Sequence, residues 1–337
     1  MKAGIVGATG YLGAELLRLL AGHPNLEVAA VQAESSAGKP LWALYPGLRA
    51  AYGDLVVGGY DLDALLSCDV VFVALPSGVS QQIIPDLVGK VRLVVDLGAD
   101  FRLRDASLYE QWYGFTHQHP GLLAESTYGL VEVNREELRT ASFIASPGCY
   151  VTAASIGLAP LVKAGLIEPS GVIIDGASGT SGAGKDPQPS THHSQVNENY
   201  VAYGVTTHRH TPEIEQATGA NVLFTPHLLP MTRGILMTMY VRPIGATSTE
   251  EILDFYRVTY SDDQFVCVTD GFPATRDTYG SNNVHIGARF DTRSGTLILF
   301  SALDNLTKGG SGQAVQAANV ALGFDEGAGL PKVALLP

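Results

Sequence analysis

Of the three cysteines in the chain, one stands where a thiol can react. Ser146-Pro147-Gly148-Cys149-Tyr150 is a Pro-Gly turn that delivers Cys149 to the start of a helix expected over 150–164. A thiol there meets the positive end of the helix dipole and unshared backbone N–H groups, which favour the thiolate and can hold the oxyanion of an attacked carbonyl. Cys68 and Cys267 have no such lead-in and read as small buried apolar residues. A nucleophilic thiol needs a base, and His208-Arg209-His210-Thr211-Pro212-Glu213 stands out among nine histidines. Thr211 suits an N-cap and Pro212 a first helical position, so both histidines precede a helix whose first turn carries Glu213. Glu213 is then placed to orient one of them, and spacing alone does not say which. The pair His192-His193 has no identifiable partner, and no metal site is expected there. The loop Ser178 to Lys185 is rich in backbone donors and ends in a cation, as an anion-binding nest would, or as a plain flexible turn would.

A second motif opens the chain. Gly7-Ala8-Thr9-Gly10-Tyr11-Leu12-Gly13 follows a short apolar run and precedes leucines at helical spacing. Glycines in a first strand-to-helix turn let the backbone approach a pyrophosphate, whose charge sits at the helix N-terminus. Gly7, Thr9, Gly10, Tyr11, Leu12 and Gly13 are therefore candidate dinucleotide contacts. The choice between NAD and NADP stays open: Glu34 could hold a ribose 2′-hydroxyl, whereas Ser35, Ser36 and Lys39 could receive a 2′-phosphate.

These residues need elements to position them. Short apolar runs at Lys2–Val6, Val28–Val31, Val70–Ala74, Leu93–Asp96 and Phe143–Ala145 alternate with helix-like stretches, the pattern of a parallel sheet covered on both faces. After Cys149 the strand candidates are Val172–Asp175, Val222–Thr225, Ile235–Val241, Val284–Asp291 and Thr296–Ala302, the last with the period-two alternation of a half-exposed antiparallel strand. An amphipathic helix over Gly309–Leu322 is expected to return to the first domain. The fold class is α/β, with a Rossmann-type dinucleotide-binding domain over 1–147 and 304–337 and a mixed-sheet catalytic and oligomerisation domain over 148–303. A length of 337 residues suits two domains. Twenty-one Lys+Arg against 33 Asp+Glu give a net charge of -12, which repels nucleic acid and anionic membranes and favours a small-molecule partner. The start of the chain carries no signal-peptide pattern, no apolar run spans a membrane and the cysteines form no disulfide framework, so a soluble, cytoplasmic protein is expected.

The motifs Gly7–Gly13, Ala74-Leu75-Pro76-Ser77-Gly78, Asp96-Leu97-Gly98-Ala99-Asp100-Phe101-Arg102, Pro147-Gly148-Cys149-Tyr150, the 178–185 loop, His208 to Glu213, Arg233-Gly234-Ile235 and Asp304-Asn305-Leu306 resemble the N-acetyl-gamma-glutamyl-phosphate reductase family of arginine biosynthesis, in order along nearly the whole chain. The resemblance implies Cys149 as nucleophile, His208 as acid/base with Glu213 its partner, and NADPH as hydride donor. It also implies a Rossmann domain joined to a dehydrogenase-type α/β domain, in a homo-oligomer, dimer or tetramer. Pro76, Ser77, Gly182 and Asn305 join the cofactor contacts on the same ground, and Ser146 and His210 join the substrate contacts. Arg102, Lys185 and Arg233 are candidates for the substrate's phosphate or carboxylate, which arginine grips in a bidentate manner. The chain departs from the family pattern at Ser77 (commonly histidine), Gly98 (commonly serine) and Ser146 (commonly asparagine). Aspartyl or aminoadipyl phosphate are alternative substrates within the same chemistry. A short-chain dehydrogenase or epimerase would rely on a Tyr-x-x-x-Lys pair instead, and a nucleotide-sensing regulator would have no use for Cys149 and His208.

Overall fold

The computed structural model describes residues 1–336. The chain divides into two compact units, Met1–Pro147 with Gly310–Leu330, and Gly148–Gly309 with the tail from Pro331. The chain thus returns to the first unit at Gly310, six residues after the expected boundary, and Asp304 to Gly309 stay with the second.

The first unit is built on six parallel strands, β1 (Lys2–Val6), β2 (Glu27–Gln32), β3 (Val70–Val73), β4 (Leu93–Asp96), β5 (Thr127–Tyr128) and β6 (Phe143–Ala145), in the order β2-β1-β3-β4-β6-β5. Every residue of β3, β4 and β6 is buried, as continuous Val, Phe, Leu and Ile runs covered on both faces require. The chain order reverses between β1 and β3, so the loops leaving these two strands, at Gly7 and at Ala74, border the crevice where open α/β sheets take their ligands. The C-terminal helix begins at Gly312 rather than Gly309 and is not amphipathic: nine of its eleven residues are buried. Its polar members Gln313, Gln316 and Asn319 form one stripe, and each finds partners: Gln313 donates to Gly129 O (2.9 Å), Gln316 to Glu132 and Glu326 (2.9 and 2.8 Å), and Asn319 to Ala328 O (3.0 Å).

The second unit carries seven strands, β7 (Val172–Gly179), β8 (Val201–Ala202), β9 (Val222–Leu229), β10 (Ile235–Val241), β11 (Val266–Val268), β12 (Val284–Asp291) and β13 (Thr296–Leu303), in the mixed order β11-β12-β13-β10-β7-β9-β8. β7 and β9 each run four residues beyond their expected ends, because parallel pairing from Val172↔Val222 to Gly179↔Leu229 carries Gly176 and Pro226 along. The short β5, β8 and β11 have too few residues to show a period. One face of this sheet is covered by the Cys149–Lys163 helix on β10 and β13 and by the Thr249–Thr259 helix on β12. The other face carries Leu223, Ile173, Tyr240 and Ile298 side by side across four neighbouring strands, with Leu223 49% and Ile173 42% exposed.

The Cys149–Lys163 helix is the buried axis of the unit and contains Pro160. Proline supplies no N–H, which leaves the carbonyl of Ile156 without its helical donor. Tyr260 Oη fills the vacancy by donating to Ile156 O at 2.5 Å, and Tyr256 Oη donates to the neighbouring Gly157 O at 2.5 Å.

In the first unit, a Cβ on Gly13 would lie 2.3 Å from Gly7 O and 2.5 Å from Ala8 Cα, whereas one on Gly10 meets only Gly7 O at 3.6 Å. Gly13→Ala is therefore expected to destabilise the protein by at least about 2 kcal/mol through overpacking against backbone, and Gly10→Ala by less than about 1 kcal/mol. Chemical denaturation of both variants checks the contrast, and equal losses would refute it.

Candidate active site

In the first unit, the Gly7–Gly13 turn leads into a helix at Tyr11, with Gly10 as its N-cap. Gly7 N and Ala8 N both donate to Gln32 O (2.9 and 3.1 Å), tying the turn to the end of β2. Thr9 is buried, with its hydroxyl 3.4 Å from the buried Ser36 Oγ, and its carbonyl accepts from Tyr45 Oη at 2.8 Å. Tyr11 is exposed and Leu12 half-buried beside the open Gly10. Ser35 and Lys39 are exposed, while the Glu34 carboxylate accepts a hydrogen bond from Tyr60 N at 3.1 Å.

Pro76 and Ser77 follow β3 in a loop that two fully buried carboxylates hold from beneath. Asp100 accepts from Gly78 N (2.7 Å) and Gln81 N (3.1 Å), and Asp96 from Ser80 Oγ (3.1 Å) and Gly98 N (2.8 Å). Burial, and then the charge of Asp100, push the Asp96 carboxyl up to about 7. Composition gave no sign of this pair as a loop anchor, because three of the four bonds run to backbone N–H groups. A Cβ at residue 98 would lie 2.9 Å from both Asp96 Oδ1 and Ser80 Oγ, which explains why glycine accompanies this arrangement. Arg102 donates to two main-chain carbonyls, Ser146 O (2.7 Å) and Leu97 O (2.9 Å). Ser146 is 1% exposed, and its Oγ makes no hydrogen bond.

In the second unit, Cys149 is half-buried at the first position of its helix, with Gly148 as N-cap. The residues around it come from far along the chain. Glu213, fully buried, accepts from Gly148 N at 2.9 Å. His210 lies so close that a Cβ on Gly148 would be 2.4 Å from its Nε2. His208 packs edge-on to Tyr150 with ring centroids 5.7 Å apart, and to Tyr203, Phe224 and His210 at 5.6, 5.3 and 4.8 Å. The two histidines thus contact the residues on either side of the cysteine, and the carboxylate reaches the turn's own backbone. The N-cap of the 211–218 helix is His210, one residue before the expected Thr211, with Pro212 inside the first turn.

Burial in the aromatic cage, and secondly the charge of Arg209, push His208 down to about 4, so the ring is neutral at pH 7. His210 N donates to His208 Nδ1 at 3.1 Å, which assigns the proton of the neutral ring to Nε2. Tyr203 Oη donates to Tyr150 Oη at 3.3 Å, and Tyr150 Oη lies 3.3 Å from His227 O; burial holds both phenols above their ordinary range. The sequence carried Tyr150 only as part of the Pro-Gly-Cys-Tyr turn, without a role, and gave no sign of Tyr203, since aromatic residues near a motif usually belong to the core.

Asn305 is buried, accepting from Gly234 N (2.7 Å) and donating to Ser181 Oγ (2.9 Å), next to Gly182. Lys185 lies on an exposed stretch. Arg233 is directed at Asp304, its Nε and Nη2 reaching Oδ1 at 3.1 and 2.9 Å.

Residues 2–141 match the family described as semialdehyde dehydrogenase, NAD binding domain, and residues 149–305 the family described as semialdehyde dehydrogenase, dimerisation domain. The N-acetyl-gamma-glutamyl-phosphate reductase of Desulforudis audaxviator is 45% identical over 100% of both chains, and that of Symbiobacterium thermophilum 46% identical over 98% of this chain and 97% of its own. Among solved structures, aspartate semialdehyde dehydrogenase II of Vibrio cholerae complexed with ASA superposes with a TM-score of 0.72 at 19% identity, over 95% of this chain and 98% of that one. The aspartate semialdehyde dehydrogenase of Candida albicans with NADP gives 0.70 at 19%, over the same shares. The structural likenesses establish the two-unit fold, and the full-length identities establish the narrower kinship: the chain belongs to the N-acetyl-gamma-glutamyl-phosphate reductase family of the semialdehyde dehydrogenases.

Proposed function

We propose that this chain reduces N-acetyl-gamma-glutamyl phosphate to N-acetylglutamate 5-semialdehyde and phosphate, through a thioester on Cys149 and with NADPH as reductant. The observation that carries the reading is the gathering of His208, His210 and Glu213 onto Gly148 and Tyr150, the two neighbours of a cysteine that opens a buried helix. Cys149 Sγ attacks the acyl carbon, the bond to the phosphate oxygen breaks with its electron pair, and a thioester remains. The nicotinamide, when bound, supplies a hydride to the thioester carbon. The resulting oxyanion re-forms its carbonyl and expels the Cys149 thiolate as the aldehyde leaves. Backbone N–H groups of the helix start, and the Nε2–H of His208, suit the oxygen on which negative charge develops. Cys149 reacts as the thiolate that its helix start favours, and His208, whose Nε2 already carries the ring proton while Nδ1 accepts from His210 N, acts as the donor to that oxygen and to the thiolate as it leaves.

The open space at Gly10, at the start of a ten-residue helix, fits a pyrophosphate, because nothing but Gly7 O lies near the position a side chain would fill. NADP is favoured over NAD by Glu34, whose carboxylate is engaged by Tyr60 N, and by the exposed Ser35 and Lys39. The apolar row Leu223, Ile173, Tyr240 and Ile298 suits pairing with a second copy, so a homo-oligomer is part of the same reading. No helix among the described residues is long and apolar enough to cross a membrane; the kinship with biosynthetic reductases is what supports a cytoplasmic place for the enzyme.

Four outcomes test this. Purified enzyme should reduce NADP with free N-acetylglutamate semialdehyde only when phosphate is present; activity confined to aspartate semialdehyde or to a carrier-linked aminoadipate semialdehyde would reassign the substrate. Cys149→Ser should lose turnover while keeping NADP binding, and substantial activity would remove the thioester. The ratio of kcat/KM for NADPH over NADH should exceed about tenfold, worth about 1.4 kcal/mol, and should narrow in Lys39→Ala. His208 should appear by 15N–1H NMR as the neutral Nε2–H tautomer at pH 7 and gain its second proton only near pH 4. Because its folded value lies below the ordinary 6.5, the stability tied to the neutral ring is present above pH 6.5 and is lost as pH falls toward 4, and His208→Gln should flatten that acid limb.

A further inference from the structure

We infer that Asp304 is a positioning residue for Cys149 and that Arg233 serves it rather than the substrate. The inference rests on the reading of Cys149 as nucleophile. Asp304 is 0% exposed, and its Oδ1 accepts four hydrogen bonds, from Arg233 Nε (3.1 Å), Arg233 Nη2 (2.9 Å), Leu306 N (2.9 Å) and Thr307 N (3.0 Å), while Oδ2 accepts a fifth from Gly280 N (2.7 Å). Arg233 Nη2 also donates to Thr307 Oγ1 at 2.9 Å. One carboxylate therefore folds the turn that follows it and ties that turn to the segments at 233 and 280.

The far end of the turn reaches the cysteine. Gly309 N donates to Asp304 O at 2.9 Å, the five-residue closure of the π-helical turn Thr307–Ser311. A Cβ on Gly309 would lie 2.9 Å from Cys149 Cβ, so the backbone of this turn rests directly on the cysteine. The residue after Asp304 extends the scaffold: Asn305 joins Gly234 N to Ser181 Oγ. Arg233 is 15% exposed in its side chain, and its fork is already matched to a buried anion. An arginine recruited by a substrate phosphate would leave Asp304 as a buried charge without its counterion, which is costly.

Misplacing a nucleophile by about 1 Å costs on the order of 10²-fold in rate, so the mark of a positioning role is a loss in kcat with little change in KM. The test uses the full-length enzyme in the phosphate-dependent direction, together with the rate at which iodoacetamide alkylates the Cys149 peptide in the absence of substrate and cofactor, read by mass spectrometry. Asp304→Asn keeps the shape but removes the charge and turns an acceptor into a donor. It should lower kcat about 10²-fold, change the alkylation rate, and leave KM for phosphate and for N-acetylglutamate semialdehyde within about twofold. Arg233→Lys, which keeps the cation, should recover part of the activity that Arg233→Gln loses. Thr307→Val, a milder change that keeps the Arg233–Asp304 pair, should give a smaller kcat loss of the same kind and carries the test if Asp304→Asn does not fold. Gly309→Ala should alter Cys149 alkylation, measured at a temperature where its melting curve shows the variant still folded. If instead Arg233→Lys raises KM for phosphate tenfold or more with kcat and alkylation unchanged, Arg233 is a substrate ligand and the inference is overturned; unaltered kcat in Thr307→Val and unaltered alkylation in Gly309→Ala overturn it equally. Turnover by Cys149→Ser would strike the thioester reading alone, because the alkylation arm still reports whether the turn governs the thiol.

Discussion

A single buried carboxylate, Glu213, accepting the N–H of Gly148, holds the turn on which everything else in the second unit depends. A carboxyl group with no exposed surface is costly unless it is bonded, and here one bond goes to the backbone of the residue before the cysteine. The same contact explains why residue 148 is glycine: His210 fills the space a side chain would take. Glu213 and His210 sit at the start of the 211–218 helix, which packs on the Cys149–Lys163 helix. The entry angle of the cysteine's helix is thus set by a helix more than sixty residues away in sequence.

The two sheets do different work and their sequences differ accordingly. The parallel sheet of the first unit is sealed on both faces, and its function lies in the loops beyond the strand ends, where Gln32 O, Asp96 and Asp100 organise backbone rather than meet solvent. The mixed sheet of the second unit has one face under the central helix and one face bearing exposed Ile173 and Leu223. That exposed apolar row lies within the stretch that matches the dimerisation-domain family.

The charged residues near Cys149 are mostly spent on other residues of the protein. Asp304 collects Arg233, and Glu213 collects Gly148 N. His208 is kept neutral by burial among its aromatic neighbours, so beside Tyr150 it is a polar donor rather than a fixed charge. In the first unit, Arg102 likewise goes to main-chain carbonyls, and the three departures from the family pattern divide by environment: Gly98 makes room for the Ser80–Asp96 bond, Ser146 leaves an unbonded buried hydroxyl, and Ser77 lies half-buried in the loop that Asp100 anchors.

What the sequence determined by itself was the fold class, the family and the short list of chemically able residues. The strands Lys2–Val6, Leu93–Asp96, Phe143–Ala145, Ile235–Val241 and Val284–Asp291 fall where their apolar patterns placed them, because burial on one or both faces is written in the local period. The glycine turn and the Pro-Gly-Cys turn are equally local. Tertiary structure decided the rest. The C-terminal helix looked amphipathic because amides count as polar in a sequence, yet Gln313, Gln316 and Asn319 are buried and bonded to residues up to 296 positions away. Arg233 and Arg102 were candidates for the substrate on their guanidinium alone, and only the fold shows the acceptors within their reach, Asp304 for the first and the carbonyls of Ser146 and Leu97 for the second. Asp304 stood in the sequence only as part of the Asp304-Asn305-Leu306 motif and Gly309 only as a helix start in a glycine-rich stretch, neither with a role, because the buried hub of hydrogen bonds and the close approach to Cys149 exist only once the chain has folded back on itself.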